Sequence, residues 1–452
     1  MIGVSAIAAD AVSEDPVSTS TVWELPRGVV RDFGDAPPVP VGELSPEVRI
    51  AVETAFGDLG TSGWGVAQSE ALTVIVRSGD VRLGWLISDL ARIVSDASFS
   101  AVLAAAASEL LDIRVEPGDH WRTMTDHLIA WDIPAPPGYL DFKRGIYELA
   151  LPGIARLFVP GDIDWRYVSW GGVLIDDRPF GKTDQPCNCI PAADNPPVSD
   201  AKTATWLGDD DIIFGIGING DYRAYPRRIM EVREMVNDSL GGRQLGIPYC
   251  TLCGSAQAYL TDEVPKTVAR PVLRTSGLLI RSNKVMYDVN TFSVFDTFTG
   301  HAVSGPLAEI GLQLNQVGVV TTTWGEWKAA HPETSVLIEA LALGRDFDFR
   351  NNRDADGPIF PIGDVDPRLP VQEEVLGVFS ESGIAVAFHL ASARDLLAQG
   401  KSIAFENIRL IRDGGGIRAV DVTGKDLGGH QSFWFAWSQF HPGTKLWPED
   451  ND

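Results

Sequence analysis

The stretch TTWGEWKAAHPETSVL, residues 322–337, returns in altered form as SFWFAWSQFHPGTKLW, residues 432–447. Trp324, Trp327, His331, Pro332 and Thr334 match Trp434, Trp437, His441, Pro442 and Thr444 at identical spacing. A second echo lies upstream of each. IFGIGINGDYRAYPRRIMEVREMVND, residues 213–238, aligns with VLGVFSESGIAVAFHLASARDLLAQG, residues 375–400. Both read as a hairpin followed by a helix. A chain with such an echo must build two similar units, which constrains the fold more than composition does. Gly215 and Gly377 are 162 positions apart and His331 and His441 are 110 apart, so the first copy is longer by the difference, 52 residues. The surplus falls between Asp238 and Trp324. It holds Cys250, Cys253, the run SGLLIRSNKVMYDV and His301, whereas the second copy has no cysteine. Copies that only packed would not need the difference, so the chemistry is expected in the longer one.

A chain of 452 residues is long enough for two or three domains. Residues 1–44, rich in Pro, Ser, Asp and Val, read as a disordered lead-in. Residues 45–160 read as a helical domain. SPEVRIAVETAF offers Ser45 as N-cap, Pro46 at the first helical position and Glu47 in the first turn. VRLGWLISDLARIV and FSAVLAAAASELLDI carry apolar residues at helical spacing, and DHWRTMTDHLIAW continues the pattern. Residues 161–452 turn to short apolar runs bounded by Gly, Asn and Asp, which are strand and turn signals. The expected fold class is therefore α+β: an N-terminal helical domain followed by a duplicated, mostly antiparallel β-rich domain. Its repeats span about 211–337 and about 374–447.

Asp and Glu number 61 against 37 Lys and Arg, a formal charge of −24. Such a surface repels phosphate backbones and anionic lipid, so nucleic acid is not expected as a partner. No run of about 18 apolar residues exists to span a bilayer. Ala6-Ile7-Ala8 resembles the cleavage signal of an export peptide, but the apolar part before it is short and no Lys or Arg precedes it. The expected location is extracytoplasmic if the start is truncated and cytoplasmic otherwise.

The four cysteines form two pairs, Cys187-x-Cys189 and Cys250-x2-Cys253. A C-x2-C pair in a turn at a strand end brings two thiolates close enough to hold one soft ion, copper or zinc. At a helix N-terminus the same spacing gives a thiol redox couple. The alternatives are a four-cysteine zinc site that recruits Cys187 and Cys189, and disulfides that join the two pairs in an exported binding module. Gly254 stands where a haem-ligating histidine would be needed. Met286 and His301 are the candidate further metal ligands. Tyr249, Asn283, Tyr287 and Asp288 are the candidate lining of the same cleft, with turn formation as the plain reading of Asp288. Arg233, Glu234, Asn237 and Asp238 read as a helix end, with Arg233 and Asn237 on one face. They form either an anion site or, for Arg233, Glu234 and Asp238, a metal-free catalytic group. Paired tryptophans and the histidines before proline read as packing and helix ends. GIGING matches a dinucleotide motif by letter, but Asn219-Gly220 is a hairpin turn, and without a helix N-terminus there is no pyrophosphate seat.

The combination of IPYCTLCGSAQAY with SGLLIRSNKVMYDVNT resembles the bacterial and archaeal family catalogued as domain of unknown function 3179. The resemblance covers roughly Cys187 to Leu446. It implies a fold unit but no settled activity. Relatives usually read W-H-E-I-V-N-D where this chain reads Val232-Arg233-Glu234-Met235-Val236-Asn237-Asp238, so Arg233 replaces a histidine. The functional expectation is a Cys-x-x-Cys site that binds a soft metal or does thiol redox chemistry, with a small molecule or a metal ion as its partner.

Overall fold

The computed structural model describes residues 25–57, 59, 63–338 and 357–449. Ser45 caps the helix Pro46–Val52, its hydroxyl accepting from the Val48 amide at 3.3 Å. Helices Val66–Arg77, Gly84–Ile93, Ala97–Leu111, His120–Ala130 and Tyr139–Ala150 follow. Their apolar faces meet around Trp85, Leu103, Met124 and Leu128. That core continues into Leu278, Val285, Tyr287, Val294 and Val303, so the helices form a layer directly against a sheet. Lys143 ties the two together from a fully buried position. Its ammonium meets Asp89 at 2.6 Å and the carbonyl of Val168 at 2.7 Å. Among the described residues no helix is long and apolar enough to cross a membrane.

Among the described residues the strands form five sheets in a propeller-like arrangement, mostly antiparallel, which makes the protein α+β. The first sheet contains Val168–Trp170, Leu273–Ile280 and Asn283–Asp288. The second is centred on Met235–Leu240 and Arg243–Cys250. The third holds Ile212–Ile218 and Asp221–Pro226, and the fourth Glu374–Phe379 and Ala385–His389. The third and fourth are built alike. Each receives a parallel strand after a short helix: Ser335–Leu337 on Asp221–Pro226, and Lys445–Trp447 on Ala385–His389. In the third, Trp327 lies over Gly215, where a Cβ would come within 2.4 Å of the ring, and its indole N–H donates to Thr334 at 3.0 Å. In the fourth, Trp437 lies over Gly377 at 2.1 Å by the same measure, and donates to Thr444 at 2.8 Å. His331 and His441 follow the two helices and lean on these rings, each at 4.3 Å between centroids.

Among the two-residue hairpin turns of the described residues, three lie in the first, second and third sheets, one in each. Asn219-Gly220 makes the expected one. Gly241-Gly242 makes a second, joining Met235–Leu240 to Arg243–Cys250. The third is unusual: Arg281 and Ser282 both take positive φ, 44° and 69°, between Ile280 and Asn283. Mirror-image turns of this kind favour Asn-Gly, because side chains beyond Cβ crowd a left-handed backbone.

The helix before the second sheet ends earlier than its sequence pattern predicts. It stops at Arg233, Glu234 turns the chain with φ 49°, and Asn237 and Asp238 sit within a strand. Strand pairing across the Gly-Gly turn overrides the i, i+4 helical reading. Residues 25–44, expected as part of a disordered lead-in, carry no helix or strand but are tied down. The Gly28 amide donates to Pro367 at 3.0 Å, Arg31 pairs with Asp126 at 3.1 Å, and Trp131 donates to Gly34 at 3.1 Å. The first 24 residues of that lead-in lie outside the described residues.

Candidate functional site

The strand Arg243–Cys250 ends at the first cysteine of the pair. Thr251 to Gly254 form a tight turn, and Ser255 pairs back against Cys250. Gly254 takes φ 61°, with the Phe433 ring 3.1 Å from where its Cβ would stand. The turn therefore leaves both sulfurs on one side. Opposite them stands the tip of the hairpin Leu273–Ile280/Asn283–Asp288. The carbonyl of Ser282 faces both thiols, at 3.9 Å from Cys250 Sγ and 3.5 Å from Cys253 Sγ, and Asn283 Oδ1 lies 3.3 Å from Cys253 Sγ. The costly Arg281-Ser282 turn presents that carbonyl, and strained backbone of this kind gathers at functional sites.

Both cysteines are buried, Cys250 at 2% exposure and Cys253 at 0%, but Cys250 forms part of the wall of a cavity of about 110 Å³ that Glu234, Thr251, Thr275 and Lys284 also line. Lys284 is the buried cation of the site. Its ammonium donates to the Glu234 carbonyl, to Glu234 Oε2 at 3.3 Å and to the Tyr249 carbonyl at 3.4 Å. Thr251 donates to the other carboxylate oxygen of Glu234 at 3.4 Å. Burial alone would raise the Cys250 thiol. Hydrogen bonds from the Cys253 thiol and from the Lys284 and Cys253 amides outweigh both that and the repulsion of Glu234, and hold Cys250 below the usual thiol range. Around the pair, the Asn283 amide nitrogen and the Ser282 and Ser255 hydroxyls are buried and have no hydrogen-bond partner. Each such group costs about 1–3 kcal/mol, so they mark a place where stability has been given up.

The structure thus brings Cys250, Cys253, Asn283 and Glu234 together. Tyr249 joins them through its carbonyl alone, while its ring packs on Phe214. The other expected site residues are elsewhere. Met286 packs with Met235, Leu273 and Phe295, and His301 bridges to Gln313, so neither stands beside the thiols as a third ligand. Tyr287 donates to the Asp176 carbonyl, and Asp288 closes the turn to Thr291. Arg233 reaches the Pro191 carbonyl, and Asp238 is held by Arg223 and Tyr225. Lys284 and Ser282 were not foreseen. Lys284 had a signal, being the one charge inside the apolar run from Val285 back to Leu278 apart from Arg281 at its turn.

The other pair is closed on itself. Cys187 and Cys189 form a disulfide with Cα atoms 5.2 Å apart, while Cys250 and Cys253 are not disulfide-bonded. Neither a four-cysteine zinc site nor bonds between the pairs is present among the described residues. Among the described residues one set of three or more metal-type donors comes together, Asp176 with Cys187 and Cys189, within 4.8 Å of one another. The Asp176 carboxylate there already takes Arg178 at 2.7 Å on each oxygen and the Ala192 amide at 2.9 Å.

No curated protein and no solved structure matches this chain. One family does, over residues 187–426, more than half of the sequence and the whole of the site just described. The chain belongs to the family described as protein of unknown function, DUF3179.

Proposed function

We propose that Cys250 and Cys253 are a thiol redox couple, with Cys250 the attacking sulfur and Cys253 the resolving one. The observation that carries this reading is the asymmetry of two adjacent sulfurs: one lines a cavity with its anion favoured by hydrogen bonds, and the other sits sealed behind it. The Cys250 thiolate attacks a small disulfide, forming a mixed disulfide and releasing one thiolate. Cys253 gives up its proton and attacks Cys250, closing the internal disulfide and releasing the second thiolate. Two electrons and two protons pass from the protein to the substrate. A cavity of about 110 Å³, set beside the roughly 150 Å³ that holds the six carbons of benzene, takes about four heavy atoms, one half of a slim aliphatic disulfide. The test is to treat Cys253→Ser with hydroxyethyl disulfide and map the adduct by mass. A stable mixed disulfide on Cys250 is expected. No adduct on the folded protein sinks the reading.

The second reading is capture of a soft metal by the same two sulfurs, favoured by their common orientation towards Ser282. Two thiolates suit copper(I) better than zinc, which takes four ligands in a structural site. Protein purified without chelator then carries about one copper per chain, a stoichiometry set by one two-sulfur site.

We also infer that residues about 211–337 and 374–447 are copies of one unit, supported by the Gly215–Trp327–Thr334 and Gly377–Trp437–Thr444 contacts. The helices up to about residue 160 are a separate unit added as a cover. The Cys187–Cys189 disulfide favours an extracytoplasmic home, where such bonds persist.

A further inference from the structure

A second cavity shares Lys284 and Val285 with the thiol cavity and is larger, about 240 Å³. Its walls are partly apolar, with Ile163, Ile280, Phe295 and Phe440. Its charged groups sort into two kinds. Asp164 is neutralised by Arg166, and Lys284 by Glu234. Arg281, Asp162 and Asp296 are left over. Arg281 sits on the strained hairpin tip with its guanidinium 4.2 Å over the Tyr167 ring, and no carboxylate pairs with it among the described residues. Asp296 accepts the Phe298 and Thr299 amides at 2.7 and 3.1 Å on one oxygen; among the described residues no ion pair reaches it, and His301 acts on it only at longer range. Burial raises the Asp296 carboxyl above its usual range, against the hydrogen bonds of Phe298 and Thr299 and the charge of His301.

The cavity therefore holds one unpaired cation, unpaired carboxylates and an apolar wall between them. We propose that it binds a small zwitterion, an amino acid with an apolar side chain. The ligand carboxylate meets Arg281, its ammonium meets Asp296, and its side chain lies against Phe295 and Phe440. Set beside the roughly 150 Å³ that holds the six carbons of benzene, this volume takes about ten heavy atoms, the size of leucine. An apolar wall with a few charged groups to fix orientation is how small-ligand sites are generally built. This proposal does not depend on the redox reading, since none of its three contacts is a thiol.

The test is calorimetric titration of the full chain with leucine, leucinamide and N-acetylleucine. Leucine is expected to bind, and the two analogues, each lacking one charge, to bind at least about tenfold more weakly, the value of one charge-assisted hydrogen bond. Arg281→Gln, at a half-exposed turn where folding is not at stake, should bring leucine down to the level of leucinamide while leaving leucinamide unchanged. Asp296→Asn should bring leucine down to the level of N-acetylleucine. If Asp296→Asn does not fold, the Arg281→Gln series decides alone. No binding of leucine at millimolar concentration, equal binding of the three compounds, or an Arg281→Gln protein that binds leucine as before would each overturn the proposal.

Discussion

The two cysteine pairs of this protein make opposite use of the same atoms. Cys187 and Cys189 are bonded to each other, beside an Asp176 already saturated by Arg178 and Ala192. Cys250 and Cys253 are thiols outside any disulfide, with buried polar groups that have no partner among the described residues and a cavity at their side. The first neighbourhood is satisfied at every donor and acceptor named here, and the second is not. Satisfied polar groups stabilise a structure, and unsatisfied ones are kept where something else needs them.

The largest expected effects come from the buried ion pair behind each cysteine pair. Lys284 and Glu234 have side chains 4% and 10% exposed, and Arg178 and Asp176 8% and 0%. Lys284→Met and Arg178→Met each leave a buried carboxylate without its cation and should cost about 3–5 kcal/mol in denaturant unfolding. Lys284→Met with Glu234→Gln should recover most of that loss. Recovery failing there would mean that Lys284 holds the thiol turn by something other than charge.

Acid should separate the two pairs next. The core around Cys250 and Cys253 includes Phe298, and His430 and His441 pack on that ring. Burial pushes His430 down to about 3, with the charge of His441 lowering it further, and burial alone pushes His441 down to about 4. A folded pKa below the unfolded one means that the unfolded chain takes up the proton first. Their contribution to stability is whole above about pH 6.5 and falls as pH drops towards 4 and 3, by roughly 1.4 kcal/mol per pH unit for each histidine. His441→Phe should remove its share of that slope in urea unfolding followed against pH. An unchanged slope would place the acid sensitivity elsewhere.

Much of this architecture is legible in the sequence, for reasons that can be named. The paired tryptophans, glycines and threonines are at matched spacing because each ring needs a glycine to lie on and a hydroxyl for its N–H. Ser45 and Pro46 announce a helix start because caps are local chemistry. The site is less legible. Gly241-Gly242 was a readable turn, yet the helical periodicity before it masked the strand at Asn237. Arg281-Ser282 could not be read as a turn, since neither residue favours positive φ and only the surrounding sheet imposes it. Met286 and His301 looked like ligands by composition, but strand alternation carries Met286 into another core and His301 bridges to Gln313 instead.

Smaller effects sharpen the contrast. Cys187→Ser with Cys189→Ser opens a very short loop and should cost no more than about 2 kcal/mol by the loop-closure relation. It should leave the reactivity of Cys250 unchanged. A change in Cys250 alkylation would show that the pairs communicate. Least of all in energy, Arg281→Asn with Ser282→Gly relieves the strained turn and should stabilise the fold by about 1 kcal/mol in thermal unfolding. A loss of stability would mean that Arg281 and Ser282 make contacts worth more than the strain they carry.

The most direct measurement is equilibration of the folded protein in glutathione buffers of graded potential, with alkylation and mass mapping of Cys250 and Cys253. The account predicts a reversible two-electron transition at this pair, with a midpoint between about −120 and −300 mV, the range of working dithiols. A pair that stays reduced at every potential, or oxidises only after unfolding, contradicts it.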